Sequence, residues 1–116
     1  MKLSGLAQMI RIHFGEDDRW RDQPLYEAIV EEARRQDLAG ATVYRGIEGY
    51  GASSRIHRTH LLTSSDLPVM VSIIDKADKI QKFLPILEAM VHEGMIAISD
   101  VEVIRYTHRE VPRETA

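Results

Sequence analysis

The chain opens on a strict alternation. From Leu6 to Phe14, Gln8, Ile10, Ile12 and Phe14 fall on one side and Ala7, Met9, Arg11 and His13 on the other. A period of two predicts a half-buried strand. The polar stretch Gly15 to Gln23 reads as a loop. Pro24 then suits the first turn of a helix, where its missing N–H costs nothing. Leu25, Ala28, Ile29 and Ala33 follow at helical spacing, and Gly40 is expected to close the unit. A second strand is predicted from Ala41 to about Tyr50, rich in β-formers but broken by Gly46 and Gly49. Paired glycines in a strand mark a bulge or a close backbone approach. After a polar loop from Gly51 to Asp66, Leu67 to Asp75 reads as a third strand, with Pro68 at its beginning where no ladder donor is lost.

The stripe Ile80, Phe83, Leu84, Leu87, Met90 and Val91 predicts a second helix over Ala77 to His92. Pro85 lies inside it and is expected to kink or split it, at about 3 kcal/mol in a regular interior. Gly94 ends that unit, and Met95 to Tyr106 forms the last strand. Its phase changes near Ser99 and Asp100, which predicts a bend or bulge there. The order β-α-β-β-α-β specifies an α+β, ferredoxin-like domain: a four-stranded antiparallel sheet with two helices on one face. The domain spans residues 1–106, and residues 107–116 lack periodicity and are expected to fray. The uncovered sheet face carries apolar residues (Met9, Val43 or Tyr44, Val69 or Met70), so a homo-oligomer covering it is the simplest expectation.

Composition changes this picture mainly by exclusion. With 116 residues the chain is long enough for a core of its own, and with no cysteine it can form neither disulfides nor thiolate sites. A net charge of −3 is the wrong balance for a nucleic-acid binder. No apolar run approaches the roughly 20 residues that span a bilayer, and the N-terminus lacks a signal peptide's layout, so a cytoplasmic location without membrane insertion is expected.

Three groups of motifs carry a family resemblance. They are Ala41-Thr-Val-Tyr-Arg-Gly-Ile-Glu-Gly-Tyr-Gly51, then Ser53-Ser-Arg-Ile-His57, and Asp66-Leu-Pro-Val69 with Asp75. Together with Pro24-Leu-Tyr26 and the ending Gly94…Val101-Glu-Val-Ile-Arg-Tyr106, they resemble the family known as domain of unknown function 190. That family in turn resembles the PII nitrogen-regulatory proteins. Their second strand ends in Gly-x-Gly before a long loop, as Gly49-Tyr50-Gly51 does here, and their last strand ends in arginine, as Arg105 does. The resemblance implies a PII-like signalling protein: a homotrimer, not an enzyme, with an adenine nucleotide bound in clefts between subunits and no required cofactor. A protein or membrane-transporter partner would meet the 51–66 loop. The chain departs from PII in a shortened phosphate corner, His92-Glu-Gly-Met95.

The chemical candidates follow. Gly46, Gly49, Tyr50 and Gly51, with Gly94, can bring backbone N–H groups to a phosphate, or form only a bulged strand and hairpin. No Walker-type sequence is present, which excludes P-loop hydrolysis. Arg45, Arg55 and Arg105 are candidate phosphate partners and His57 a polar contact. Arg55, His57, Arg58 and His60 equally suit an acidic partner surface or a solvated loop. His57 and His60 form His-x-x-His, yet on a strand that spacing puts the rings on opposite faces, so no metal site is assigned. A metal-responsive trimer like the cation tolerance proteins, or a small ferredoxin-like enzyme, stands as the alternative. For catalysis, Ser53 and Ser54 have no positioned base, and Asp17 with Asp18 reads as loop surface.

Overall fold

A computed structural model describes residues 3–52, 54–58 and 66–107. Four strands, β1 (Leu3–Gly15), β4 (Ala41–Arg45), β7 (Pro68–Asp75) and β8 (Met95–Tyr106), form one antiparallel sheet in the order β4-β7-β1-β8. Two helices, α1 (Leu25–Arg35) and α2 (Ala77–Met90), share one core with it. Ile10, Ile12 and Phe14 of β1 meet Val69, Val71 and Ile73 of β7 beneath Leu25, Ala28, Ile29 and Ala33 of α1 and Ile80, Phe83, Leu87 and Met90 of α2. The β1 and helix positions are those that the two periodicities selected, and the β7 residues come from its apolar run. The α+β ferredoxin-like architecture is therefore the one expected.

Local details differ from expectation. Within the 15–23 stretch lies a small hairpin, β2 (Arg19–Trp20) and β3 (Gln23–Pro24), and Pro24 is the N-cap of α1. Gly40 does not end α1. The helix stops at Arg35, and Asp37 takes the left-handed conformation (φ 58°), its N–H bonding Arg34 O while Leu38 N–H bonds Ala33 O. That pair is a Schellman closure, and a short polar side chain tolerates its left-handed position.

Pro85 does not split α2, which is continuous. Its ring lies on the exposed face, where water can satisfy the carbonyl deprived of its donor. The bulge expected at Ser99 and Asp100 is also absent. Those residues pair in regular register with Met9 and Gln8, and the irregularity lies further along, where Leu3 and Gly5 (φ 83°) of β1 face Tyr106 and Val103, so that β8 carries one extra residue there. The phase change fits the place of β8 as an edge strand, of which only Ile96, among the described residues, packs against the core. Ile98 pairs with fully buried Ile10 and is still 37% exposed.

The glycine-broken strand becomes β4 and a short β5 (Glu48–Gly49), which pairs with β6 (His57–Arg58). Gly46 makes the close approach: its N–H donates to Pro68 O at 2.6 Å, and a Cβ would lie 2.8 Å from Pro68 Cγ. On the sheet's open face the register places Tyr44 opposite Met70, leaving Val43 and Val69 to the core side. Asp75, fully buried, ends β7. Its Oδ2 accepts Ala39 N–H at 2.9 Å and its Oδ1 accepts Lys76 N–H at 2.7 Å. Among the described residues, no helix is long and apolar enough to cross a membrane.

Candidate functional site

The main cleft, about 590 Å³, opens where the end of β1, the turn after β5, the start of β7 and the α2–β8 corner converge. Phe14, Pro68, Val69 and Met95 give it apolar walls. Gly94 shapes the corner. Its φ of +148° disfavours any side chain, and a Cβ would lie 2.4 Å from His13 O. Gly49 lies close against Pro68, whereas a Cβ on Gly51 would meet nothing within 4 Å, so the turn presents bare backbone beside the cleft.

Carboxylates line the same space. Asp66, at φ 57°, accepts Asp17 N–H on Oδ1 at 3.0 Å, while Glu16 N–H donates to Leu67 O at 2.8 Å. These two bonds pin the exit of the 51–66 loop to the turn after β1. The Asp66 carboxylate occupies the space beside Gly15, where a Cβ would be 2.0 Å from Oδ1. Asp18 accepts Gly15 N–H at 3.3 Å. Burial pushes its pKa above the ordinary aspartate value, the Gly15 bond opposes that, and the charges of Asp66, Glu93 and Asp17 add to the rise.

Of the sequence candidates, Gly49, Tyr50, Gly51, His57 and Gly94 line this cleft. The other four do not. Gly46 is held against Pro68 beside it. Arg45 is in an ion pair with Glu16. Arg55 lies exposed in the loop. Arg105 lies near the far end of β8, next to Tyr106, which pairs with Leu3, while cleft-lining Met95 pairs with His13 at the other end. One subunit does not bring Arg105 to the cleft. His60, half of the His-x-x-His pair, lies outside the described residues. Among the described residues no group of three or more His, Asp or Glu is placed to hold a metal ion.

Sequence reasoning missed Asp66 and Glu93 as cleft walls and took Asp18 for loop surface. The available signal was their position: each adjoins an element boundary that the fold folds back onto one edge.

Comparison with known proteins sets this geometry in context. A UPF0166 protein of Aquifex aeolicus is 41% identical over 98 residues, covering 84% of this chain and 92% of the relative. A PII-like signaling candidate from Thermus thermophilus superposes with a TM-score of 0.64 at 16% identity, covering 86% of this chain and 91% of its own. CPII of Thiomonas intermedia K12, a nitrogen regulatory PII-like protein bound to ADP, AMP and bicarbonate, gives a TM-score of 0.58 at 18% identity, with 84% and 88% covered. The divalent ion tolerance protein CutA1 of Ehrlichia chaffeensis gives 0.54 at 12% identity, with 86% and 82% covered. At such identities the likeness is one of fold, and that fold is PII-like. The family model for DUF190, described as uncharacterized ACR, matches residues 7–103, and the chain belongs to that family.

Proposed function

We propose that this protein is a PII-like regulator, not an enzyme, that binds an adenine nucleotide in clefts between the subunits of a homotrimer. The observation that carries the reading is where the cleft lies: between the Gly49–Gly51 turn and the Gly94 corner, against the exit of the 51–66 loop. A ligand there touches the loop's two anchors, so its binding energy can bias the loop's conformation. A partner, protein or membrane transporter, would read that loop in the cytoplasm. Assembly is supported by apolar side chains left in solvent, among them Leu6 at 83% and Ile104 at 81% exposure. The presence of ADP and AMP in CPII supports the choice of nucleotide.

In the trimer, Arg105 of one subunit meets the phosphate held by Gly49-Tyr50-Gly51 of the next. Charge-assisted bonds are worth about 1.5–3 kcal/mol each. Arg105→Ala is therefore expected to weaken nucleotide binding about 10- to 150-fold while leaving the fold intact. Calorimetry against ATP, ADP, AMP and cyclic dinucleotides is the direct measurement, with proteolysis of the loop as a second readout. If none of these ligands binds the parent at about millimolar concentration, the nucleotide assignment falls.

A further inference from the structure

The cleft's charge is the opposite of what a polyphosphate site needs. Among the described lining residues the carboxylic acids are Asp18, Asp66 and Glu93, the basic groups are the imidazoles of His13 and His57, and no lysine or arginine lines the cleft itself; Arg19 adjoins Asp18 and Glu93 in a smaller neighbouring pocket. The three are close enough for Asp66 and Glu93 both to act electrostatically on Asp18. Glu93 is exposed, makes no hydrogen bond among the described residues, and sits beside Gly94, where the cleft is open. Carboxylates accept hydrogen bonds, so they suit the hydroxyl and amino donors of a nucleoside and repel its phosphate chain.

We propose that the cleft selects its nucleotide by low charge: it takes the nucleoside end, favours the monophosphate over the di- and triphosphate, and uses Glu93 to discriminate. This rests on the nucleotide reading above and names the ligand class for the same site. In that reading a neighbour contributes Arg105, and one guanidinium matches one phosphate group. Each further phosphoryl group adds negative charge facing Asp18, Asp66 and Glu93. At low salt such repulsion between partly screened charges several ångströms apart weakens binding by about tenfold per added group. A divalent cation carried in with the triphosphate removes that penalty.

The sign of the salt dependence separates this site from a cationic phosphate clamp. Screening relieves repulsion, so metal-free ATP should bind more tightly as salt rises, whereas at a lysine- or arginine-rich site it would bind more weakly. The experiment is calorimetry with adenosine, AMP, ADP and ATP in excess chelator, at about 0.02 M and about 0.3 M salt, then with magnesium. AMP is expected to bind at least about tenfold more tightly than ATP at low salt, with the gap narrowing at high salt, with magnesium, and in Glu93→Gln. ATP binding more tightly than AMP without a divalent cation, or weakening as salt rises, overturns the charge selection while leaving the nucleotide reading intact. If no adenine compound binds, adenosine included, both fall. The salt series on the parent protein needs no variant to fold.

Discussion

Asp75 offers the sharpest test of how this fold is held. It occupies an inward position of β7, in line with Val69, Val71 and Ile73, and is as fully buried as they are. A lone buried carboxylate would cost several kcal/mol. Here each oxygen accepts a backbone N–H, from Ala39 leading into β4 and from Lys76 at the N-cap of α2, and Lys79 Nζ stands 3.6 Å away. The side chain thus ties an edge strand to a helix start, and its charge favours that helix end. Hydrogen bonds to a charged acceptor contribute about 1.5–3 kcal/mol each, so losing both in Asp75→Ala should cost about 3–6 kcal/mol. Asp75→Asn, which keeps one acceptor and turns an amide donor toward the other N–H, should cost about half as much. Against a total stability of about 5–15 kcal/mol, the alanine variant sits near the edge of folding. Urea unfolding at fixed protomer concentration measures this, since assembly makes stability concentration-dependent. Trp20 fluorescence is a suitable probe, because the ring lies 6.1 Å from that of His92 and packs against the core. A loss below about 1 kcal/mol in Asp75→Ala, or an asparagine variant as stable as the parent, would refute the reasoning and point to a role for the carboxylate other than structure.

Two further outcomes are expected. Asp18 has its folded pKa raised, so between the unfolded value near 3.8 and the folded one the native state holds the extra proton, and stability falls as pH rises through that window. Asp18→Asn should therefore melt higher than the parent at neutral pH, with the difference vanishing below the unfolded value. A variant that melts lower at neutral pH would show that the Gly15 bond outweighs burial and repulsion. Light scattering after gel filtration should give three times the 13.2 kDa chain mass, and a monomer at micromolar concentration would remove the second wall of the proposed cleft.

The sequence by itself determined the elements and the core. Alternation in β1, the apolar run of β7 and the 3–4 spacing of Leu25, Ala28, Ile29, Ala33 and of Ile80, Phe83, Leu87 named residues that are buried, because these patterns are local properties of the chain, whereas which residues of β7 face inward was decided by its pairing. It also announced the close approach at Gly46, since a missing Cβ is visible in sequence. Three further things were decided only by tertiary structure. Where α1 stops was set by a Schellman closure at Asp37, which hydrogen-bond geometry and not residue type selects. The exposure of β8 goes with its place at the sheet edge, so an edge strand's half-wet pattern read as a bulge. The charge of the cleft was set by folding Asp18, Asp66 and Glu93 onto one edge from three separate corners. No local window of sequence contains all three, and their mutual repulsion exists only once the sheet has brought those corners together.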